Sequence, residues 1–298
     1  MMDRREILQS ISALGFGAIF PTAVCADRES ARVIHIANNT IDGHLPEDLI
    51  LYRPRIGLVV LGGGHGISHD HPRLSNFHRS VFLSHGHFLG RSEQQILSAT
   101  FYDTHMVVMI TGDSDVAPSV ARMLKEHGIL VVAVVAHHAQ FATLPLHVDA
   151  LIETQSRSGS LLENISCALV DNLTQDGICN LDFEVIRSVL VHDGKGVLGV
   201  ASVSVVDGVA VATRQALESL GVKPHQEAST VLVAISAPSG AVKLQDVKHS
   251  LDRVTHIFRS PGLGGISLAT NDIFYSLTPN NDAKVISVAI LANGIQGV

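Results

Sequence analysis

The stretch LLENISCALVDNLTQDGICNLDFEVIR, residues 161–187, decides how the rest of the chain is interpreted. Apolar residues recur in its first half at intervals of three and four, which is the pattern of a buried stripe on a long helix. The stripe consists of Leu161, Leu162, Ile165, Leu169, Val170 and Leu173. Gly177 interrupts the pattern. We therefore predict a central helix over residues 161–177, with the rest of the fold arranged around it.

The residues after this helix predict a short loop that exposes oxygen atoms. Asn180, Asp182 and Glu184 place one amide and two carboxylates close together. Leu181 and Phe183 alternate with them and are expected to face a core. Taken alone, this pattern is also typical of an ordinary buried helix with a polar exit.

A run of glycines follows the first strong strand pattern. The apolar segment Ile56–Leu61 leads directly into Gly62, Gly63, Gly64, His65 and Gly66. Consecutive glycines let backbone N–H groups converge on an anion, because no Cβ stands in the way. The alternative is a tight turn between a strand and a helix. A dinucleotide-binding loop is less favoured, since the spacing is not G-x-G-x-x-G.

Strand and helix patterns then alternate along the chain. We predict a helix over 91–99, a strand over 106–110, a helix over 117–127 and a strand over 129–135. Repeated strand–helix units of this kind form a parallel sheet with right-handed crossovers. Later patterns predict a strand over 230–235, a helix over 244–254 and a closing strand over 284–291. The fold class is therefore α/β, with an α+β portion at the C-terminal end.

Taken in order, these segments resemble the FtsZ family, the bacterial relatives of tubulin. GICNLDFEVIRSVL is similar to the family's synergy loop, and LVVLGGGHGI is similar to its first phosphate loop. HMVVMITGDSDVAPSVARMLKEHGILVVAVV resembles the second phosphate-loop region with its helix and strand. The downstream segments GVLGVASVSVVDGVAVATRQALES, STVLVAISAPSGAVKLQDVKHSLDRV and DAKVISVAILANGIQG follow in the family's order.

The resemblance implies a tubulin/FtsZ-like architecture. Residues 31–160 would form a shortened, Rossmann-like nucleotide-binding domain, 161–177 the central helix, and 178–298 the C-terminal domain. Further strands that the family carries after its first phosphate loop are expected to be missing. The chain between 65 and 87 is instead expected to be a polar loop rich in histidine: His65, His69, His71, His78, His85 and His87.

The resemblance also implies a GTP site, with magnesium, completed by a neighbouring subunit. The phosphate contacts would come from Gly62, Gly63, Gly64, Gly66, Thr111 and Gly112. The synergy loop would supply the catalytic group Asn180, Asp182 and Glu184 to the next subunit.

Three departures from the family pattern weaken this site. TGDSDV, residues 111–116, stands where the family has GGGTGTG, and its Asp113 and Asp115 would oppose a triphosphate at a cost on the order of a kcal/mol each. Val185 stands at the family's second catalytic carboxylate. Gln155 and Gly159 replace the residues that contact guanine. We therefore expect GTP to bind weakly or not at all, and the synergy-loop residues to be vestigial.

Three functional hypotheses follow. The first is a cytoskeletal assembly protein with a degraded nucleotide site that is expected to be noncatalytic and to self-associate weakly, head to tail. The alternative is an active FtsZ-like GTPase that polymerises in cell division. The second alternative is an exported metal-binding protein that uses the histidine-rich stretch, although no helix with metal-ligand spacing supports a metal site.

Bulk properties exclude other classes. The 298 residues carry a net charge of −7 and no basic cluster, which argues against nucleic acid as a partner. Cys25, Cys167 and Cys179 lack the paired spacing of a metal site, and Cys167 is predicted to be a core residue.

The first 30 residues have the layout of an export signal. Arg4 and Arg5 precede an apolar run over 11–20, and Val24, Cys25 and Ala26 provide small residues before Asp27. This order resembles a twin-arginine signal and predicts a periplasmic or membrane-attached protein that could contact the membrane through this segment. The alternative is a docked N-terminal helix on a cytoplasmic protein.

Overall fold

The computed structural model describes eleven ranges and two single positions of the chain. They are residues 54–61, 67, 71–83, 91–111, 114–136, 144–154, 158–175, 181–191, 195–221, 227–259, 267–280, 282 and 284–295. All of them fall within the unit Val33–Val298. The signal-like segment 1–30, the glycine run 62–66, Gly112 and Asn180 lie outside the described residues. None of the described helices is long and apolar enough to cross a membrane.

The described residues form one sheet of nine strands. The strands are β1 (Ile56–Leu61), β2 (Arg79–Leu83), β3 (Met106–Thr111), β4 (Leu130–Ala136), β5 (Ala150–Thr154), β6 (Lys195–Ser204), β7 (Glu227–Ala237), β8 (Ser267–Pro279) and β9 (Val285–Ile295). Their order in the sheet is β2-β1-β3-β4-β5-β6-β9-β7-β8. The strands from β1 to β6 pair in parallel, and β9 runs antiparallel to both β6 and β7. The predicted parallel sheet is confirmed.

Seven α-helices connect or cover the described strands. They are α1 (Arg91–Phe101), α2 (Ala117–Glu126), α3 (Ser158–Ile165), α4 (Asp171–Thr174), α5 (Phe183–Leu190), α6 (Gly208–Ser219) and α7 (Leu244–Arg259). A π-helical turn, Ser166–Val170, joins α3 to α4, so residues 158–174 form one continuous central helix. Short 3-10 helices occupy Pro72–Asn76 and Leu144–Leu146.

The parallel strands are buried on both faces, as their uninterrupted apolar sequences indicate. In β3, Val108 and Ile110 face the core beneath the central helix, whereas Val107 and Met109 face the core beneath α1 and α2. Alternate residues of a strand point to opposite faces, so a strand with no polar residue must be covered twice. The helices on either side provide that cover.

The central helix is buried around most of its circumference. All six residues of its predicted stripe are at most 6% exposed. Ser166, Asp171 and Asn172 lie off the stripe and are buried as well, because the helix also packs against β7 and β9. Burial raises the pKa of the Cys167 thiol to about 12, so this cysteine is an unreactive core residue, as predicted.

Close helix packing in the C-terminal portion depends on a glycine of β6. A Cβ built on Gly199 would lie 2.2 Å from the carbonyl oxygen of Ala216 in α6, so any larger residue would push α6 away from the sheet. Helix α6 packs on β6 and β9, and α7 packs on β8. The sheet runs without a break from β5 into β6, and the predicted division into domains at the central helix stays a prediction.

Two sequence-based expectations need correction. The histidine-rich stretch 65–87 is not only a loop, since RSVFL forms β2 and pairs in parallel with β1, with Val59 opposite Val81. Residues 183 and 184 are not loop residues either, because α5 begins at Phe183. β2 is short and its apolar residues are only partly buried, so local periodicity did not reveal it, whereas the start of α5 carries acidic residues that also suit a loop.

Two edges of the sheet as the candidate functional site

The parallel strands define two edges where the candidate residues lie. The carboxyl edge is where β1 to β5 end, and it carries Thr111 at the end of β3. The amino edge is where these strands begin, and it carries Arg79 at the start of β2. A strand of six residues such as β3 spans about 20 Å. The central helix begins after β5 at the carboxyl edge and ends near the amino edge.

At the carboxyl edge, the described residues of the predicted phosphate site are mostly turned away from solvent. The Thr111 side chain is completely buried, and Val116 is only 6% exposed. Ser114 is half-buried and Asp115 is exposed. The glycines Gly62, Gly63, Gly64, Gly66 and Gly112 lie outside the described residues, so their assignment stays a prediction.

Helix α2 begins at this edge with few backbone donors. Its N-cap is Val116, whose side chain makes no capping hydrogen bond. The Ala117 N–H donates to the Ser114 carbonyl at 3.1 Å, and Pro118 has no N–H. The N–H groups of Val116 and Ser119 are the remaining donors at this helix start, although a phosphate is normally held by several converging N–H groups. The described part of this edge therefore fits a phosphate group poorly.

At the amino edge, Asp182 caps helix α5. Its Oδ1 accepts a hydrogen bond of 2.7 Å from the Val185 N–H, the third residue of the helix. Glu184 lies in the first turn with 75% of its side chain exposed, 3.8 Å from Arg187. Carboxylates at a helix N-terminus stabilise the helix by charge as well as by hydrogen bonding. Asp182 thus has a structural role that explains its presence without any catalysis.

Buried polar contacts hold the other end of α5. The Nδ2 of Asn293 donates to the carbonyls of Val189 and Leu190 at 2.8 and 2.9 Å. The hydroxyl of Thr230 donates to the same Val189 carbonyl at 3.1 Å. Asn293 and Thr230 are at most 2% exposed. These contacts satisfy the carbonyls that every helix leaves open at its C-terminus, and they fix α5 against β7 and β9.

A group of charged and histidine side chains surrounds Asp103 at the amino edge. The Asp103 carboxylate lies 3.3 Å from Arg55, 3.6 Å from His78 and 3.8 Å from Arg79. The Arg55 N–H donates to Nδ1 of His105 at 3.0 Å, which places the proton of the neutral ring on Nε2. Partial burial and the Arg55 charge lower the pKa of His105. We call Arg55, Arg79 and the adjacent His78 the cationic group, after the positive charges of its two guanidinium groups.

His105, which accepts a hydrogen bond from the Arg55 N–H, links the cationic group to α5. The ring of His105 meets the ring of Phe183 edge-on, with 6.1 Å between centroids. Sequence inspection missed this group, although a signal was present: Arg55 and His105 each directly precede a predicted strand. Because parallel strands begin at the same edge, residues at these positions come together.

A buried ion pair ties the central helix to the same edge. Arg73 donates to Oδ2 of Asp171 at 3.0 Å, and Asn76 donates to Oδ1 at 2.8 Å. Asp171 is 1% exposed, whereas about 30% of the Arg73 side chain is exposed. Burial raises the pKa of Asp171, and the Arg73 charge and the Asn76 hydrogen bond offset part of that rise. The pair joins the 3-10 helix before β2 to the end of the central helix.

The described histidines of the 65–87 stretch have contacts within the protein. Nδ1 of His71 accepts from the Arg73 N–H at 3.2 Å and caps the 3-10 helix, and His78 lies beside Asp103. Among the described residues, no three His, Cys, Asp or Glu side chains are grouped closely enough to hold a metal ion. His65, His69, His85 and His87 lie outside the described part, so a metal site there stays a prediction.

Comparison with solved structures identifies the fold. An FtsZ point mutant from M. jannaschii matches with a TM-score of 0.63 and 19% identity, over 82% of this chain and 92% of that chain. CetZ1 from Haloferax volcanii, a GDP-bound monomer, matches with a TM-score of 0.59 and 11% identity, over 82% of this chain and 95% of that chain. TubZ from Bacillus thuringiensis serovar israelensis, in GDP-form protofilaments, matches with a TM-score of 0.51 and 9% identity, over 82% of this chain and 89% of that chain.

The chain therefore has the FtsZ/tubulin fold, and the resemblance inferred from its sequence is confirmed at the level of the fold. No protein-family model matches the sequence. In this fold the two edges lie at opposite ends of the parallel strands, and Asp182 lies at the end away from Thr111 and Asp115. Among the described residues of the two predicted sets, Thr111 lies at one edge of the molecule, and Asp182 and Glu184 lie at the other.

Proposed function

We propose that this protein is an FtsZ/tubulin-like assembly protein that self-associates head to tail and binds nucleotide weakly or not at all. The observation that carries the proposal is the start of α2. Of its first-turn N–H groups, Ala117 is already bonded to Ser114 and Pro118 has none. The exposed carboxylate of Asp115 adds like charge at the position where phosphates would lie.

The arrangement of Asp182 supports a noncatalytic protein. Phosphoryl transfer needs a nucleotide held firmly and a water oriented in line with the bond that breaks. Asp182 accepts a hydrogen bond from Val185 within its own helix, and Val185 itself has no group that could orient water. We therefore expect no GTP hydrolysis above background.

The separation of the two edges supports head-to-tail association. Residues at opposite ends of the strands meet only when two molecules stack along the strand direction. Such a contact joins two different surfaces, and its repetition gives open filaments instead of closed dimers. Solved structures with this fold include an FtsZ dimer from M. jannaschii and TubZ protofilaments. We propose that this protein self-associates in the same way. The association is weak because no nucleotide completes the contact.

The alternative is an FtsZ-like GTPase. One observation favours it: Glu184 is 75% exposed beside Asp182 at the amino edge, where a stacked neighbour's carboxyl edge would lie. In that case Asp182 and Glu184 of one molecule would act on a nucleotide held by the next. Activity would then require assembly and would rise with protein concentration.

Calorimetry with GTP and magnesium distinguishes these functions. We expect a Kd no tighter than about 1 mM, which corresponds to only about −4 kcal/mol of binding free energy. The matched variant Asp115→Asn with Pro118→Ala removes one like charge and restores one N–H donor, and it should bind several-fold more tightly. A Kd in the low micromolar range for the unmodified protein would contradict the proposal.

Sedimentation velocity over a concentration series, with and without GTP, tests assembly. We expect monomers at low concentration and short oligomers at high concentration, unchanged by GTP. Glu184→Lys probes the amino edge better than a change of Asp182, because Glu184 makes no capping hydrogen bond. A stable symmetric dimer that Glu184→Lys does not affect would refute head-to-tail assembly. Phosphate release that rises with protein concentration and is lost in Asp182→Asn would establish the GTPase instead.

A further inference from the structure

The cationic group is an excess of positive charge on an acidic protein. Arg55 and Arg79 place two guanidinium groups around the single carboxylate of Asp103, while the whole chain carries a net charge of −7. His78 adds a third nitrogen-bearing side chain to the same group. The Asp103 side chain is 14% exposed, whereas those of Arg55, His78 and Arg79 are 36–47% exposed. The surface of this group is therefore formed by nitrogen-bearing side chains.

Arg79 keeps most of its hydrogen-bonding capacity. Its distance of 3.8 Å from Asp103 is too long for a hydrogen bond, and Oδ1 of Asp103 has no hydrogen-bond partner within the described residues. The guanidinium lies 5.7 Å from the centroid of the Tyr102 ring, which is 71% exposed. A planar guanidinium supported by an aromatic ring is well suited to bind a carboxylate with two hydrogen bonds.

The opposite edge of the same molecule presents a carboxylate. Strand β3 starts just after Asp103 and ends just before the turn that carries Asp115, which is exposed. A second copy that stacks along the strand direction with little rotation would place its Asp115 turn over the cationic group. Asp113 adds a second acidic residue to that turn in the sequence.

We propose that the partner of the cationic group is the Asp115 turn of a second copy of this chain. This inference rests on the proposed assembly function and specifies how the contact is made. The Asp115 carboxylate takes the place of phosphate negative charge, so the contact is completed by protein groups alone. Assembly would then be independent of nucleotide and weakened by salt, since exposed charge pairs are screened within about 10 Å at 0.1 M salt.

The test uses two charge reversals on the full chain. Arg79→Glu makes the amino edge acidic, and Asp115→Lys makes the carboxyl edge basic, so each variant alone presents two edges of like charge. In sedimentation velocity at low salt, we expect each to associate at least about tenfold more weakly than the unmodified protein. An equimolar mixture should assemble again, because the acidic edge of one variant meets the basic edge of the other.

Matched controls carry the same charge changes elsewhere. Arg122 lies on the exposed side of α2, and Asp252 lies on the exposed side of α7. The variants Arg122→Glu and Asp252→Lys should both assemble as the unmodified protein does. If circular dichroism shows that Arg79→Glu does not fold, Arg55→Glu replaces it, since Arg55 is the more exposed of the two.

The outcomes separate this inference from the proposed function. Failure of the mixture to assemble, or assembly of the single variants at the level of the unmodified protein, overturns the charge pairing while head-to-tail assembly stands. An unmodified protein that remains monomeric at every concentration and salt overturns both. Recovery in the mixture, with loss in each variant alone, supports the pairing.

Discussion

The amino edge and the carboxyl edge of the sheet differ in how firmly their described residues are bonded. At the amino edge, Asp182, Asp171 and Asp103 each have a defined partner within the fold. At the carboxyl edge, α2 starts at Val116, whose side chain makes no capping hydrogen bond. The edge that resembles the family's synergy loop is thus stabilised by folding contacts, whereas at the described start of α2 the Ala117 N–H is bonded to Ser114 and Pro118 has no N–H.

This difference shows that a residue can match a catalytic position for a structural reason. Asp182 would be required to start α5 even in a protein with no nucleotide. Residues that bind only a ligand have no such second role, and their loss does not affect folding. If nucleotide binding is weak or absent, as proposed, this difference would account for the resemblance to the family at 182 and the departure from it at 111–116.

The largest effect on the amino edge is expected from Arg73→Leu. This change leaves the buried Asp171 carboxylate without its cation, which should lower the free energy of unfolding by about 3 kcal/mol near pH 7. The raised pKa of Asp171 should rise further. When the folded-state pKa of Asp171 lies above its unfolded value, the folded protein binds a proton at Asp171 more readily than the unfolded chain does. The unfolding free energy lost in Arg73→Leu should therefore shrink as the pH falls toward 4. Urea unfolding at several pH values measures it.

The control for this prediction is Arg187→Leu, which removes the same side chain from the exposed pair with Glu184 on α5. Exposed pairs of this kind contribute between about 0 and 1 kcal/mol. A loss for Arg73→Leu that is equally small, or that does not depend on pH, would mean that Arg73 does not stabilise the Asp171 carboxylate.

An intermediate effect is expected from Asp182→Ala. Loss of the capping hydrogen bond to Val185 should cost about 1 kcal/mol of stability. Asp182→Ser keeps a capping oxygen and should recover most of that loss. The matched control is Asp207→Ala, because Asp207 occupies the N-cap of α6 but makes no side-chain capping bond. Equal losses for the two alanine variants, measured by urea unfolding, would show that the cap does not explain Asp182.

The smallest effect is expected from His105→Asn. Because the pKa of His105 is lowered in the folded protein, protonation favours the unfolded chain, and stability is lost as the pH falls through about 6.5. Protonation at Nδ1 would also break the hydrogen bond from the Arg55 N–H. Asparagine can accept that bond without titrating. Between pH 7 and 5, the unfolding free energy of His105→Asn should therefore fall by a few tenths of a kcal/mol less than that of the unmodified protein.

Unfolding free energies of the two proteins at pH 7, 6 and 5 provide this measurement. Parallel pH profiles would indicate that His105 titrates in the same way in the folded and the unfolded chain, and that the amino edge does not depend on its neutral form.

Local sequence patterns predicted the elements that are buried and regular. β1 was predicted with the bounds that the structure has, and α2 and β3 were predicted to within one residue at their ends. β2 was missed because it is short and only half-buried at the edge of the sheet. The start of α5 was missed because Asp182 and Glu184 were interpreted as loop residues, although an acidic cap followed by an acidic first turn also predicts a helix.

The sequence by itself determined the parallel sheet and the buried central helix, because burial of apolar side chains has no direction and leaves a periodic pattern along the chain. Only the tertiary structure decided the partners of the polar residues. Arg73 and Asp171 are 98 positions apart, and Asn293 and Val189 are 104 apart. A hydrogen bond needs two groups within about 3 Å and in line, so such pairs depend on strand register and helix placement. No local pattern contains that information.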